Sequence, residues 1–82
     1  MKIHLTRHAQ KRMEQRAITL EQIRQAIRYP DSTMPALPAP RKRVMKQLSK
    51  KTLDVIFVTR DSYNYLIITA AWLKDEDRKH VN

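Results

Sequence analysis

All four prolines of this 82-residue chain, Pro30, Pro35, Pro38 and Pro40, fall between positions 30 and 40, and they separate two halves of different periodicity. Proline fixes φ and has no N–H to give, so residues 30–40 can sustain neither a helix nor a central strand and are expected to form an extended loop. Before that segment apolar residues recur at helical spacing. After it they come in short runs that suit strands. The order this predicts is β-α-α-β-β-β, an α+β fold with two N-terminal helices packed on an antiparallel sheet.

Lys2-Ile3-His4-Leu5 alternates polar and apolar, a short edge-strand signal in which His4 faces solvent. Thr6 can cap the helix that follows. Ala9 and Met13 then fall on one stripe, while Gln10, Lys11 and Glu14 point away. A second start comes at Thr19, with Gln22 completing a capping box and Ile18 stapling onto Ile23. That helix buries Leu20, Ile23, Ala26 and Ile27 and stops before Pro30, so the two helices are expected to form a hairpin. Strands are expected at 41–48, 53–60 and 65–73, with turns at 49–52 and 61–64. The chain has no glycine, which leaves Asp61, Asn64 and the prolines to punctuate it. Residues 53–58 and 65–72 are apolar on both parities, so the sheet face away from the helices must meet the proline loop, a second copy or a partner.

The length suits a single domain over residues 1–73, followed by a charged tail at 74–82 that is expected to fray. Seventeen Lys and Arg against eight Asp and Glu give a net charge of +9, and the tail holds three of each kind, so the whole excess belongs to residues 1–73. A body that basic suits a polyanion, and nucleic acid fits better than a membrane because no lipidation signal or long amphipathic helix accompanies the charge. With no cysteine there are no disulfides or thiolate metal sites. Neither a signal peptide nor an 18-residue apolar run is present, and the expected location is the cytoplasm.

His8, Arg12 and Arg16 lie within about 80° of one another on the flank of the first helix, so an imidazole and two guanidiniums share a ridge. Such a ridge can hold a phosphodiester beside a group of the kind that titrates near neutral pH. The plainer alternative is a first-turn histidine satisfied by backbone, with the arginines paired to Glu14, Asp31 or Asp54. Beyond the ridge, Arg41, Lys42, Arg43 and Lys46 make the strand expected at 41–48 basic. Tyr63, Tyr65 or Trp72 can stack an unpaired base or simply pack in the core. Lys50 and Lys51 read as a solvated hairpin turn.

His8-Ala9, Arg12-Met13, Arg16 and Ile18, a second capped helix closing on Pro30-Asp31, and a strand reading Ile67-Ile68-Thr69 resemble a small bacterial domain family. That family opens H-A-x-x-R-M-x-x-R-G-I, is itself of uncharacterised function, and is similar to RelE and BrnT ribosome- or RNA-targeting toxins. Ala17 stands where the family usually has glycine, so a left-handed residue there would cost on the order of 1 kcal/mol. The resemblance implies a RelE-like α+β fold, RNA binding or cleavage as the activity, and partnership with an antitoxin, expected to be acidic.

The function this supports is that of a toxin-like, metal-independent endoribonuclease needing no cofactor and acting on RNA or ribosome-bound mRNA. His8, Arg12 and Arg16 would be catalytic. Arg41, Lys42, Arg43, Lys46 and Tyr65 would track the strand. Two other readings stand beside it: a helix-turn-helix presenting Gln22, Arg24, Gln25 and Arg28 to a DNA groove, and a protein-interaction domain, including a homo-oligomer, that uses the uncovered sheet face. Under the enzyme reading, His8→Ala and Arg16→Ala remove activity and leave the fold intact.

Overall fold

The computed structural model describes residues 1–73, and the charged tail at 74–82 lies outside the described residues. The chain runs through β1 (Lys2–Leu5), α1 (Arg7–Arg16), α2 (Leu20–Arg28), β2 (Ser32–Pro35), β3 (Lys42–Leu48), β4 (Lys51–Thr59) and β5 (Asn64–Leu73). One five-stranded sheet has the order β1-β5-β4-β3-β2, with both helices on the same face. No helix among the described residues is long and apolar enough to cross a membrane.

Two features of this sheet differ from the sequence expectation of four antiparallel strands. The first is β2, an extra strand inside the proline segment that pairs antiparallel with β3, Ser32 opposite Met45 and Pro35 opposite Lys42. An edge strand needs hydrogen bonds on only one side, and Pro35 at its last position costs it little. The second is the parallel pairing of β1 with β5, Lys2 opposite Asn64 and Leu5 opposite Ile67, which makes the sheet mixed. Parallel neighbours need a long crossover, and every element from α1 to β4 intervenes here. The remaining strands match the expected positions to within two residues, β4 starting at Lys51 rather than 53.

The helix caps form as the sequence predicts. The Thr6 hydroxyl accepts from the Ala9 N–H at 3.0 Å, and Thr19 accepts from the Gln22 N–H while the Gln22 side chain accepts from the Thr19 N–H. Thr6 does more than cap. Its N–H and hydroxyl donate to the carbonyls of Ile67 and Ile68, both at 3.2 Å. At that point Ile56 faces Thr69 while Phe57 faces Ile67, so Ile68 is the extra residue of a β-bulge, and Thr6 fastens α1 to it.

The bulge also accounts for part of the two-sided apolar pattern, because it shifts parity within β5 and lets Ile67 and Ala70 both face the helices. On that face Leu53, Val55 and Ile67 join Ile23, Ala26, Ala9 and Met13 in one core. α1 lies over β5 and β1, and α2 over β3 and β4, so each helix packs on the sheet more than on the other, unlike the expected hairpin. The opposite face carries Met45, Ile56, Val58, Leu66 and Ala71, each half-buried.

Without glycine, two other residues take positive φ. Ala17 sits at φ 53° and ψ 47°, so the turn takes left-handed geometry despite the side chain, and Ser49 at φ 61° turns β3 into β4. The Ala17 and Ile18 N–H groups both donate to the Met13 carbonyl, and the buried side chains of Ile18 and Met13 complete the motif. Asp61 organises the β4–β5 turn, its carboxylate accepting from the Asn64 side chain and from the Tyr63 and Asn64 N–H groups. Those bonds, the Asn64 side-chain bond foremost, hold its carboxyl below the usual range.

Candidate functional site

α1 presents His8, Arg12 and Arg16 on one flank, but it does not commit them equally. His8 is exposed in the first turn, where Arg7 is also exposed and no acidic residue offsets the positive helix pole. Arg12 is half-buried and donates from Nη1 to Gln15 Oε1 at 3.1 Å. Arg16 reaches across to the sheet, its Nη1 donating to the Ala70 carbonyl at 2.7 Å. The indole N–H of Trp72 donates to the Arg16 carbonyl at 2.8 Å, so the end of α1 and the end of β5 are cross-tied. Among the described residues, no ion pair joins Arg12 or Arg16 to Glu14 or Asp54. Asp54 takes Arg43, and Asp31 takes Lys46.

Helix geometry limits what the ridge can do as a unit. His8 and Arg16 are eight residues apart, an axial rise of about 12 Å, whereas His8 and Arg12 are one turn apart. His8 and Arg12 can therefore address a single phosphate. Arg16 is too far along the axis to share that phosphate, and its removal would strip a bond from β5. The expectation that Arg16→Ala leaves the fold untouched meets a side chain that bonds α1 to the sheet, which gives the substitution a structural cost to be measured.

Strand alternation divides the basic cluster of β3. Lys42 and Lys46 pair with Phe57 and Leu53 and project toward the helix side, while Arg43 pairs with Ile56 and projects to the other face. Arg43 is held there by Asp54 in a bidentate pair, Nε to Oδ1 and Nη2 to Oδ2 both at 2.8 Å. That hydrogen-bonded contact raises the guanidinium pKa further. Lys46 lies 3.5 Å from Asp31, and among the described residues exposed Lys42 and half-buried Arg41, at the start of the strand, make no ion pair. Tyr65 packs against Phe57 with ring centroids 5.8 Å apart, which is core packing.

At the far end of the sheet the structure assembles a group that sequence reading had left apart. The α1–α2 turn, the β3–β4 turn and the end of β5 enclose a cleft of about 320 Å3 lined by Arg16, Gln22, Lys50, Lys51 and Trp72 among others. The Lys51 ammonium sits over the Trp72 ring, 5.5 Å from its centroid. Only the sequence adjacency of Lys50 and Lys51 hinted at this. Their meeting with Arg16 and Trp72 depends on strand pairing. At the opposite end, His4 donates from Nε2 to Asn64 Oδ1 at 3.0 Å beside Arg60 and Asp61, an exposed edge-strand histidine as expected.

The helix-turn-helix residues are also partly engaged. Gln22 belongs to the capping box, Arg24 lies 3.9 Å from Glu21, and the Arg28 guanidinium sits over the Tyr29 ring. Both helices lie flat on the sheet, so neither stands out as a recognition helix would. Among comparisons with known proteins, a family model described as a domain of unknown function, DUF4258, matches residues 5–72. No curated protein and no solved structure matches the chain.

Proposed function

The chain belongs to the DUF4258 family of domains of unknown function, and with that as premise we propose that it is an RNA-binding domain with toxin-like, metal-independent endoribonuclease activity. The observation that carries the proposal is the charge of the folded body. All of the +9 excess lies in residues 1–73, and acidic side chains are few there, Glu21, Asp31 and Asp54 lying against Arg24, Lys46 and Arg43. The basic groups that remain on α1, on β3 and at the β3–β4 turn favour a strand of phosphates. RNA is the polyanion suggested by the resemblance of the His8-Ala9 to Ile18 pattern to a small domain family that is itself similar to RelE and BrnT toxins. An acidic antitoxin would suit the same surface.

In this reading His8 withdraws the proton of a ribose 2′-hydroxyl, the 2′ oxygen attacks the adjacent phosphorus, and the 5′ oxygen leaves with a proton from solvent. Arg12, one turn along α1, stabilises the charge that builds on the phosphorane. Arg16 holds the next phosphate. Arg41 and Lys42 track the strand beyond. The test is incubation of the purified protein with mRNA and with duplex DNA in EDTA. The expected result is shortened RNA bearing 5′-hydroxyl ends, intact duplex, and no cleavage by His8→Ala. RNA bound and left whole would overturn the nuclease activity, and retention of duplex alone would favour a DNA-binding role.

A further inference from the structure

The cleft at the β3–β4 end is built from three cations and an indole, and no carboxylate among the described residues lines it. Its geometry is fixed from two sides. The Trp72 indole is tied to the Arg16 carbonyl, and the Arg16 guanidinium to the Ala70 carbonyl, so ring and charge keep a set relation. Lys50 and Lys51 stand opposite on an exposed two-residue turn and its first strand residue. The volume of about 320 Å3 lies at the lower end of the range that small-ligand pockets occupy, roughly 300–1,000 Å3.

We propose that this cleft is a subsite for one unpaired nucleotide of an RNA strand, its base stacked on Trp72 and its phosphate held by Arg16, Lys50 and Lys51. The inference rests on the RNA reading above and adds to it where the strand is gripped. A guanidinium anchored by one N–H still presents further donors, and two ammonium groups on flexible stems supply mobile point charges. The Lys51 ammonium covers one face of the indole. When a base enters it exchanges the ring face for the phosphate. A duplex does not satisfy the site, because its bases are already stacked, whereas single strands offer a π-face at every position. An acidic peptide satisfies the cations and leaves the indole unused.

Trp72 is the protein's one tryptophan, so its emission reports on this site alone. The experiment titrates the whole chain with a hexanucleotide of adenosines, following Trp72 fluorescence and filter retention together, with polyglutamate as the competing polyanion. Quenching in step with retention is expected, with little quenching by polyglutamate. A Lys50→Ala, Lys51→Ala double variant should lose several-fold in affinity at low salt, and its log–log salt slope should be shallower by about 0.7 for each lysine. Its melting temperature should stay close to that of the parent, since both side chains are exposed. RNA retained without quenching, and equally well by the double variant, would overturn the subsite and leave RNA binding standing. Polyglutamate quenching as strong as that of the RNA would also overturn it, in favour of an acidic protein partner. Absence of any RNA retention would remove both readings together.

Discussion

Arg16 shows how a residue's sequence position and its structural duty diverge. By helical spacing it belongs with His8 and Arg12, and nothing local sets it apart. Yet its guanidinium closes onto the carbonyl of Ala70, 54 positions along the chain, at a stretch of β5 that β1, ending at Leu5 opposite Ile67, no longer pairs. A strand edge left with open carbonyls needs cover, and Arg16 supplies it. Truncation removes a charge-assisted bond and leaves that carbonyl unpaired, so Arg16→Ala should lower stability by about 1.5–3 kcal/mol. His8→Ala, on an exposed first turn, should stay within about 0.5 kcal/mol. Urea unfolding of the two variants checks this, and equal midpoints would mean that the Arg16–Ala70 bond adds nothing to the fold. The spacing alone made all three residues look alike, because a partner on a distant strand leaves no mark on a helical wheel.

Among the elements, those defined by local patterns were the ones legible in advance. Both helix starts depend on side chains within three residues of the cap, and both form as written, capping box included. The edge strand β2 and the parallel partner of β1 depend on which strand lies alongside, and a proline-rich stretch gives no sign that a neighbour will accept it. The bulge at Ile68 misled in the same way, since a parity shift inside β5 reads in sequence as a strand apolar on both sides. The turn between α1 and α2 was legible through what it lacks. Ala17 takes left-handed geometry that glycine would adopt without a Cβ clash. Ala17→Gly should therefore stabilise the domain by about 1 kcal/mol, reduced by whatever freedom glycine adds to the unfolded chain. Over a domain of this size the net gain corresponds to a rise of at most about 4 °C in melting temperature. A fall in the melting temperature would show that the Cβ is tolerated there without strain.

For the whole molecule, composition gives the excess of charge and its place in residues 1–73, but not where within them it is concentrated. Pairing decides that. Asp54 meets Arg43 diagonally across β3 and β4, and Asp31 meets Lys46, which withdraws two of the cations that a reading of β3 as a continuous basic stripe would have counted. Lys50 and Lys51, dismissed as a solvated turn, gain weight because strand register brings them to Arg16 and Trp72. The surface that results is basic at the first turn of α1, at the start of β3 and around the cleft. The claim on which the rest depends is that this surface binds single-stranded RNA through its phosphates, and filter binding of a labelled single strand from low to moderate salt tests it most directly. The account predicts affinity that falls steeply, with a log–log slope of about −0.7 for each phosphate neutralised; affinity that stays flat across that range would contradict it.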